Sequence, residues 1–157
     1  LDKVTTLSVD DTSITDTETV ELRDIVSSVW DTVQTRNARL HIQDSKKFEA
    51  DPSRLKQIFE NLIRNAIEHS TGEVIIKIGT TDEGIYVEDT GPGIAADERD
   101  DVFDSGYTSD PSNTGFGLSI VKEIAVGHGW EISLIEGEDG GARFEIDNIV
   151  FQPAVYN

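Results

Sequence analysis

Apolar residues recur along this chain with two periods, and the switching between them marks out the elements. Leu1, Val4 and Leu7 have helical spacing over a run too short to stand alone, and read as the end of a longer helix. Residues 10–19 are polar and turn-rich, a linker. Thr19–Leu22 is a short strand candidate. From Asp24 to Thr35 the apolar positions Ile25, Val26, Val29, Trp30 and Val33 follow a helix period, and Leu40–Asp44 alternates as a strand does. Asp51-Pro52 signals a helix start, a capping carboxylate followed by proline at the first helical position. The stripe Leu55, Ile58, Phe59, Leu62, Ile63, Ala66 and Ile67 carries that helix to about His69.

Glu73–Thr80 and Gly84–Asp89 form a hairpin around Asp82-Glu83-Gly84. The stretch from Pro92 to Thr114 is long, polar and weakly periodic, with one turn of helix near Ala95–Phe103. A loop of this length inside a compact domain is usually functional or mobile. Gly115 opens another helix, with Leu118, Val121, Ile124 and Ala125, which ends at Gly127-His128-Gly129. Glu131–Ile135 and Ala142–Ile146 close the chain as a hairpin around Gly140-Gly141. Helices and antiparallel hairpins in this order predict a two-layer α+β sandwich: one sheet covered on one face by about three helices. Residues 1–16 read as the tail of an upstream helix with its linker, and residues 17–157 as the folded domain.

Composition narrows the class. A chain of 157 residues with 36% hydrophobic content supplies one ordinary core. No apolar run approaches the roughly 18 residues needed to cross a bilayer, and no signal peptide is visible. Cysteine is absent, which excludes disulfides and thiolate metal sites. Methionine is absent as well, position 1 included, which reads as a piece excised from a longer protein. Acidic residues outnumber basic ones 31 to 13, for a net charge of −18. That surface repels phosphate backbones and anionic lipid, so neither nucleic acid nor a membrane is expected as a direct partner of this domain. The acids are dispersed rather than gathered in a tail, as adaptation to high salt would leave them. A salt concentration of about 1 M shortens the screening length to roughly 3 Å and quiets such self-repulsion. A haloarchaeal cytoplasm is the expected setting; an acidic mesophilic protein is the alternative.

Three short motifs carry candidate chemistry. Asn61 and Asn65 stand four apart on one helix, so both amides face the same side. An amide carbonyl is an uncharged oxygen ligand suited to Mg²⁺ that already carries phosphate oxygens and water. Asparagines are poor mid-helix residues, which favours function over two solvated amides. Asp89 ends a strand and enters Thr90-Gly91-Pro92-Gly93, where the glycines let backbone turn tightly; an ordinary strand-end turn would look the same. Gly115-Phe116-Gly117-Leu118 opens a helix whose free amides and dipole can meet anionic oxygens, or is a plain hinge.

In order and spacing the three motifs resemble the ATP-binding domain shared by sensor histidine kinases, gyrase-type topoisomerases and the related heat-shock chaperones, most closely the kinases. The resemblance runs from about Thr17 to Asp147. It implies the Bergerat ATP-binding fold with a long ATP lid, and ATP and Mg²⁺ as ligands. Carried over residue by residue, Asn65 supplies the magnesium ligand and Asn61 supports the phosphates as the catalytic pair. Asp89 accepts a hydrogen bond from the adenine amino group, with Gly91, Gly93 and Ile94 beside the base. His69 lies flat against adenine, Tyr107 and Thr108 belong to the lid, and Gly115, Phe116, Gly117 and Leu118 meet the phosphates. Val102–Thr108 resembles the phenylalanine box of the kinases, although Phe103 and Tyr107 could equally be pegs that pin the loop to the core.

Two positions depart from the kinase pattern. Glu68 and His69 stand where lysine and an aromatic residue are frequent, and Asp100–Thr114 contains no Arg or Lys to meet the terminal phosphate. Lys122 and Arg64 are the remaining candidates, with solvated surface charge as the plainer reading of both. The hydrolytic relatives place a glutamate four residues before the magnesium asparagine as general base. Here that position is Asn61, and Glu60 lies about 100° around the helix.

The resemblance thus implies a kinase that transfers the γ-phosphoryl to a histidine on upstream dimerisation helices of the same protein. Its further partners would be a response regulator and a second copy of the full-length chain. None of His41, His69 and His128 sits in an acceptor-like context. A gyrase- or chaperone-type ATPase using Glu60, a serine-protein kinase or anti-sigma factor of the same fold, and a docking module without nucleotide are the competing readings.

Overall fold

The computed structural model describes residues 16–33, 38–68, 72–99, 101–103 and 117–153. Along them run β1 (Glu18–Glu21), α1 (Leu22–Trp30), β2 (Ala38–Ile42), β3 (Lys47–Ala50), α2 (Pro52–Glu68), β4 (Val74–Thr80) and β5 (Gly84–Asp89). Single 3-10 turns at Ala96–Glu98 and Asp101–Phe103 lead to α3 (Gly117–Gly127), β6 (Glu131–Glu136) and β7 (Ala142–Asp147). The main sheet has the order β2-β4-β5-β7-β6, with β2 parallel to β4 and the other pairs antiparallel. The expected α+β sandwich, with a mixed and mostly antiparallel sheet, is the observed architecture, and the described residues form three α-helices.

The core follows from the two periods. Ile76 and Ile78 of β4, Ile85 and Val87 of β5, and Phe144 and Ile146 of β7 alternate inward and join Leu55, Ile58, Phe59, Leu62, Ile63 and Ala66 of α2 in one buried cluster. Each large side chain buried there contributes about 1.5–3 kcal/mol of apolar transfer. The outward positions of the same strands include Lys77, Tyr86, Glu88, Arg143 and Glu145, with Ile75 of β4 as an apolar exception.

α2 begins as its sequence predicts: Asp51 Oδ1 accepts the amides of Ser53 at 3.1 Å and Arg54 at 3.4 Å. α3 ends in a Schellman arrangement, Trp130 N donating to Ala125 O at 2.8 Å and Gly129 N to Val126 O at 2.9 Å, with Gly129 at φ 85°.

Three expectations need correction. α1 starts at Leu22 rather than Asp24, because its first amides find distant acceptors: Leu22 N donates to Lys46 O at 3.1 Å and Arg23 N to Ser45 Oγ at 3.0 Å. It stops at Trp30 rather than Thr35; Thr32 turns back, its N and Oγ1 both donating to Val29 O. Finally, β3 has no counterpart in the sequence reading, and it pairs with β1 as a separate two-stranded sheet extended by a bridge from Phe48 to Phe151.

Candidate functional site

The expected site residues divide into those on α2, those in the turn after β5, and those at the start of α3. Asn61 and Asn65 are half-buried, one helical turn apart on α2. Asn61 lines an open cavity of about 720 Å³ with Ser53, Gln57 and Glu60 of its own helix, Asp16 and Glu18 near β1, and Ile120 of α3. Asn65, Asp89, Gly91, Gly93 and Leu118 are not part of that wall. His69, Tyr107, Thr108, Gly115 and Phe116 lie outside the described residues, and Gly117 is the first residue of α3. Leu118 is buried and joins the core.

Asp89 continues the inward row Ile85, Val87, Asp89, so its side chain lies on the helix-covered face, beside the register partner Ile76 of β4. α2 packs on β4, which puts the asparagine helix on the face of the sheet from which Asp89 projects. The carboxylate is buried and held by backbone: Oδ1 accepts the amide of Gly91 at 2.9 Å and that of Ala142 at 3.2 Å. Two amides converging on one oxygen fix the orientation of a carboxylate more firmly than a mobile side chain could.

The turn itself is closed by glycine contacts. Gly93 has φ 78°, and a Cβ there would stand 2.4 Å from Gly140 O. A Cβ on Gly141 would stand 2.0 Å from Asp89 O. The tip of the β6–β7 hairpin therefore lies directly against the Asp89–Gly93 turn. Gly140 and Gly141 enter the sequence reading only as a hairpin turn; no local signal shows that they meet a segment about fifty residues earlier.

Arg99 is a second residue that pattern alone does not single out. Its Nε donates to Ile94 O at 3.1 Å and its Nη2 stands 3.9 Å from Glu136, tying the chain beyond Gly93 to β6. Ile94 packs against the core, and Phe103 is a buried peg set edge-on to Phe144 at 6.1 Å. Of the cations considered for the terminal phosphate, Arg64 pairs with Glu60 on the surface of α2 at 3.0 Å and Lys122 is exposed on α3. Among the described residues, no cluster of three or more His, Asp or Glu could hold a metal by itself.

On the opposite face of β5, Glu88 is buried beside Arg143. Burial raises its pKa, but the hydrogen bond from Arg143, the backbone amide of Glu138 and the charges of Arg143 and Lys77 outweigh that, leaving it below the ordinary glutamate value. Arg143 also bonds Glu145 at 2.7 Å and lies 4.1 Å over the ring of Tyr86.

Residues 50–152 match the family described as histidine kinase-, DNA gyrase B- and HSP90-like ATPases. The chain belongs to this family. Within it, the curated relatives it resembles are sensor histidine kinases. The sensor histidine kinase ZraS of Salmonella typhimurium is 33% identical over 141 residues, covering 82% of this chain and 30% of that protein. The signal transduction histidine-protein kinase AfsQ2 of Streptomyces coelicolor is 40% identical over 103 residues, covering 61% and 19%. The chain thus spans less than a third of the length of these relatives. Among solved structures, the catalytic domain of the histidine kinase ThkA shares 28% identity at a TM-score of 0.73, covering 86% of this chain and 96% of that one. The mycobacterial sensor histidine kinase MprB has a TM-score of 0.75 at 23% identity, a likeness of fold. The Bergerat-type fold expected from the motifs is therefore shared with histidine kinase catalytic domains. No described helix of this family member is long and apolar enough to cross a membrane.

Proposed function

We propose that this chain is the ATP-binding catalytic domain of a two-component sensor histidine kinase. It holds Mg-ATP on the cytoplasmic side and delivers the γ-phosphoryl to a histidine on dimerisation helices upstream in the same homodimeric protein. The P–O bond to ADP breaks, a P–N bond to the imidazole forms, and a response regulator takes the phosphoryl on.

Asn61 carries the choice of kinase over ATPase. Asparagine cannot take a proton from water at neutral pH, and it stands where the hydrolytic relatives place their base. Glu60, the substitute base of the ATPase reading, is already paired with Arg64. Asp89, oriented by two amides, suits recognition of the adenine amino group: a buried acceptor there rejects a base that presents a carbonyl. Mg²⁺ fits the amide oxygen of Asn65, with phosphate and water as its other ligands, and when bound neutralises charge on the transferring phosphoryl. The glycine loop before α3 and the stretch around His69, Tyr107 and Thr108 complete the pocket in this reading.

His128 is unsuited as an acceptor, because Nε2 accepts the amide of Asp51 at 3.0 Å and Nδ1 bonds Ile124 O at 3.0 Å. The test is calorimetry with ATP, ADP and Mg²⁺ together with incubation in γ-labelled ATP. Binding with negligible hydrolysis and no label on the chain's own histidines is expected. Steady release of phosphate would favour an ATPase, and absence of binding would favour a docking module.

A further inference from the structure

Neighbouring residues on a strand point to opposite faces of the sheet, so Glu88 and Asp89 should have unrelated surroundings. They are instead held by one loop. Glu88 projects from the face that no described helix covers, yet it is only 4% exposed, because the β6–β7 tip folds over it. Its Oε2 accepts the amide of Glu138 at 2.8 Å, its Oε1 accepts Arg143 Nη1 at 2.9 Å, and a Cβ on Gly137 would come within 3.0 Å of its side chain. The same tip reaches round to Asp89, where Gly141 abuts the backbone and Ala142 N donates to Oδ1. Internally the tip is closed by Gly137 N to Gly141 O at 2.7 Å and Gly140 N to Gly137 O at 3.1 Å. A displacement at Glu138 is therefore passed to Gly141 and Ala142.

A buried ion pair is a weak source of net stability, since desolvation offsets much of its attraction; fixing one conformation is the better-attested use. We propose that Glu88, braced by Arg143, is a positioning residue: it holds the β6–β7 tip against the Asp89 turn and so sets how strongly the site prefers adenine over guanine nucleotides. The inference rests on the reading of Asp89 given above. Glu88 acts through the tip and touches no ligand.

The experiment is a calorimetric titration of the whole chain with Mg-ATP and with Mg-GTP, alongside amide exchange at Ala142. The wild-type comparison tests Asp89 by itself: equal affinity for the two nucleotides would sink that reading and this inference with it. Given a wild-type preference for ATP, Glu88→Ala is expected to shrink the ATP/GTP ratio by about tenfold, as loss of an orienting hydrogen bond does, and to speed exchange at Ala142. Glu88→Gln keeps an acceptor for the Glu138 amide and should restore most of the ratio. A Glu88→Ala protein with the wild-type ratio, however far its melting temperature falls, would make the pair merely structural and overturn the proposal. Should that variant not fold, Arg143→Met carries the same test, a reduced ratio supporting the proposal and an unchanged one overturning it.

Discussion

The imidazole of His128 joins the end of α3 to the start of α2: its Nε2 accepts the backbone amide of Asp51 at 3.0 Å while its Nδ1 meets Ile124 O at 3.0 Å. Nε2 can accept only without a proton, and a carbonyl can receive only a donor, so these bonds define the neutral Nδ1–H tautomer. The ring also stacks on Trp130, centroids 4.1 Å apart and planes at 14°. Asp51 is the capping residue of the helix that carries Asn61 and Asn65, so this contact ties the end of α3 to the start of the asparagine helix.

His128→Phe keeps an aromatic ring against Trp130 but leaves the Asp51 amide without its acceptor. Orphaning one buried donor costs about 1–3 kcal/mol. Urea unfolding should show a loss of that size with an unchanged slope, and the chain should remain as inert to self-phosphorylation as the wild type.

Gly141→Ala tests the glycine contact behind Asp89. The added methyl would stand 2.0 Å from Asp89 O and 2.7 Å from its Oδ1, and the nearer atom is backbone that cannot rotate away. Overpacking of this kind costs about 1–3 kcal/mol or more. Thermal melting should register it, and ATP affinity should fall with it. Gly72→Ala, with nothing within 4 Å of the new methyl, is the control expected to be silent in both measurements.

What the sequence disclosed and what it hid divide along chain distance. α2 was legible because seven apolar positions, a capping aspartate and a proline all agree within one stretch. The α+β class was legible because each hairpin carries its own turn signal. β3 was hidden, since four residues with only Phe48 and Ala50 facing inward give no periodicity to read, and its partner β1 lies about thirty residues away. The early start of α1 was hidden for the same reason, its capping acceptors being Ser45 and Lys46. In the candidate site, the asparagine pair and the Asp89 turn are local patterns and could be named. Glu88, Arg99 and Gly141 could not, because each matters only through a segment that folding brings to it.

Asp89→Asn separates recognition from folding. The amide oxygen can still accept from Gly91 and Ala142, so the turn should keep its shape. The new NH₂ would oppose the adenine amino group, donor against donor. ATP affinity should drop by roughly one to two orders of magnitude with little change in melting temperature. Equal affinity in variant and wild type would remove Asp89 from the binding site.

The charge distribution gives the final prediction, in which the sign depends on direction of shift. Asp147 faces Glu131 across the β6–β7 ladder, and its pKa is raised, first by burial and then by the charges of Glu145, Glu83 and Glu131. An acid with a raised folded pKa favours the folded state at pH values below its unfolded value, about 3.9. That contribution is lost as pH rises through the folded pKa. At neutral pH Asp147 is therefore a liability. Glu88 has the opposite sign: its lowered pKa contributes stability above the ordinary glutamate value that is lost as pH falls through the folded one. Asp147→Asn should raise the melting temperature at pH 7 in low salt and should leave it nearly unchanged in strong acid. Potassium chloride should shrink that gain, because screening at about 1 M acts within roughly 3 Å, and the wild type itself, at −18, should melt higher as the salt is increased. A wild-type melting temperature that falls across the salt series would end the proposal of a high-salt setting.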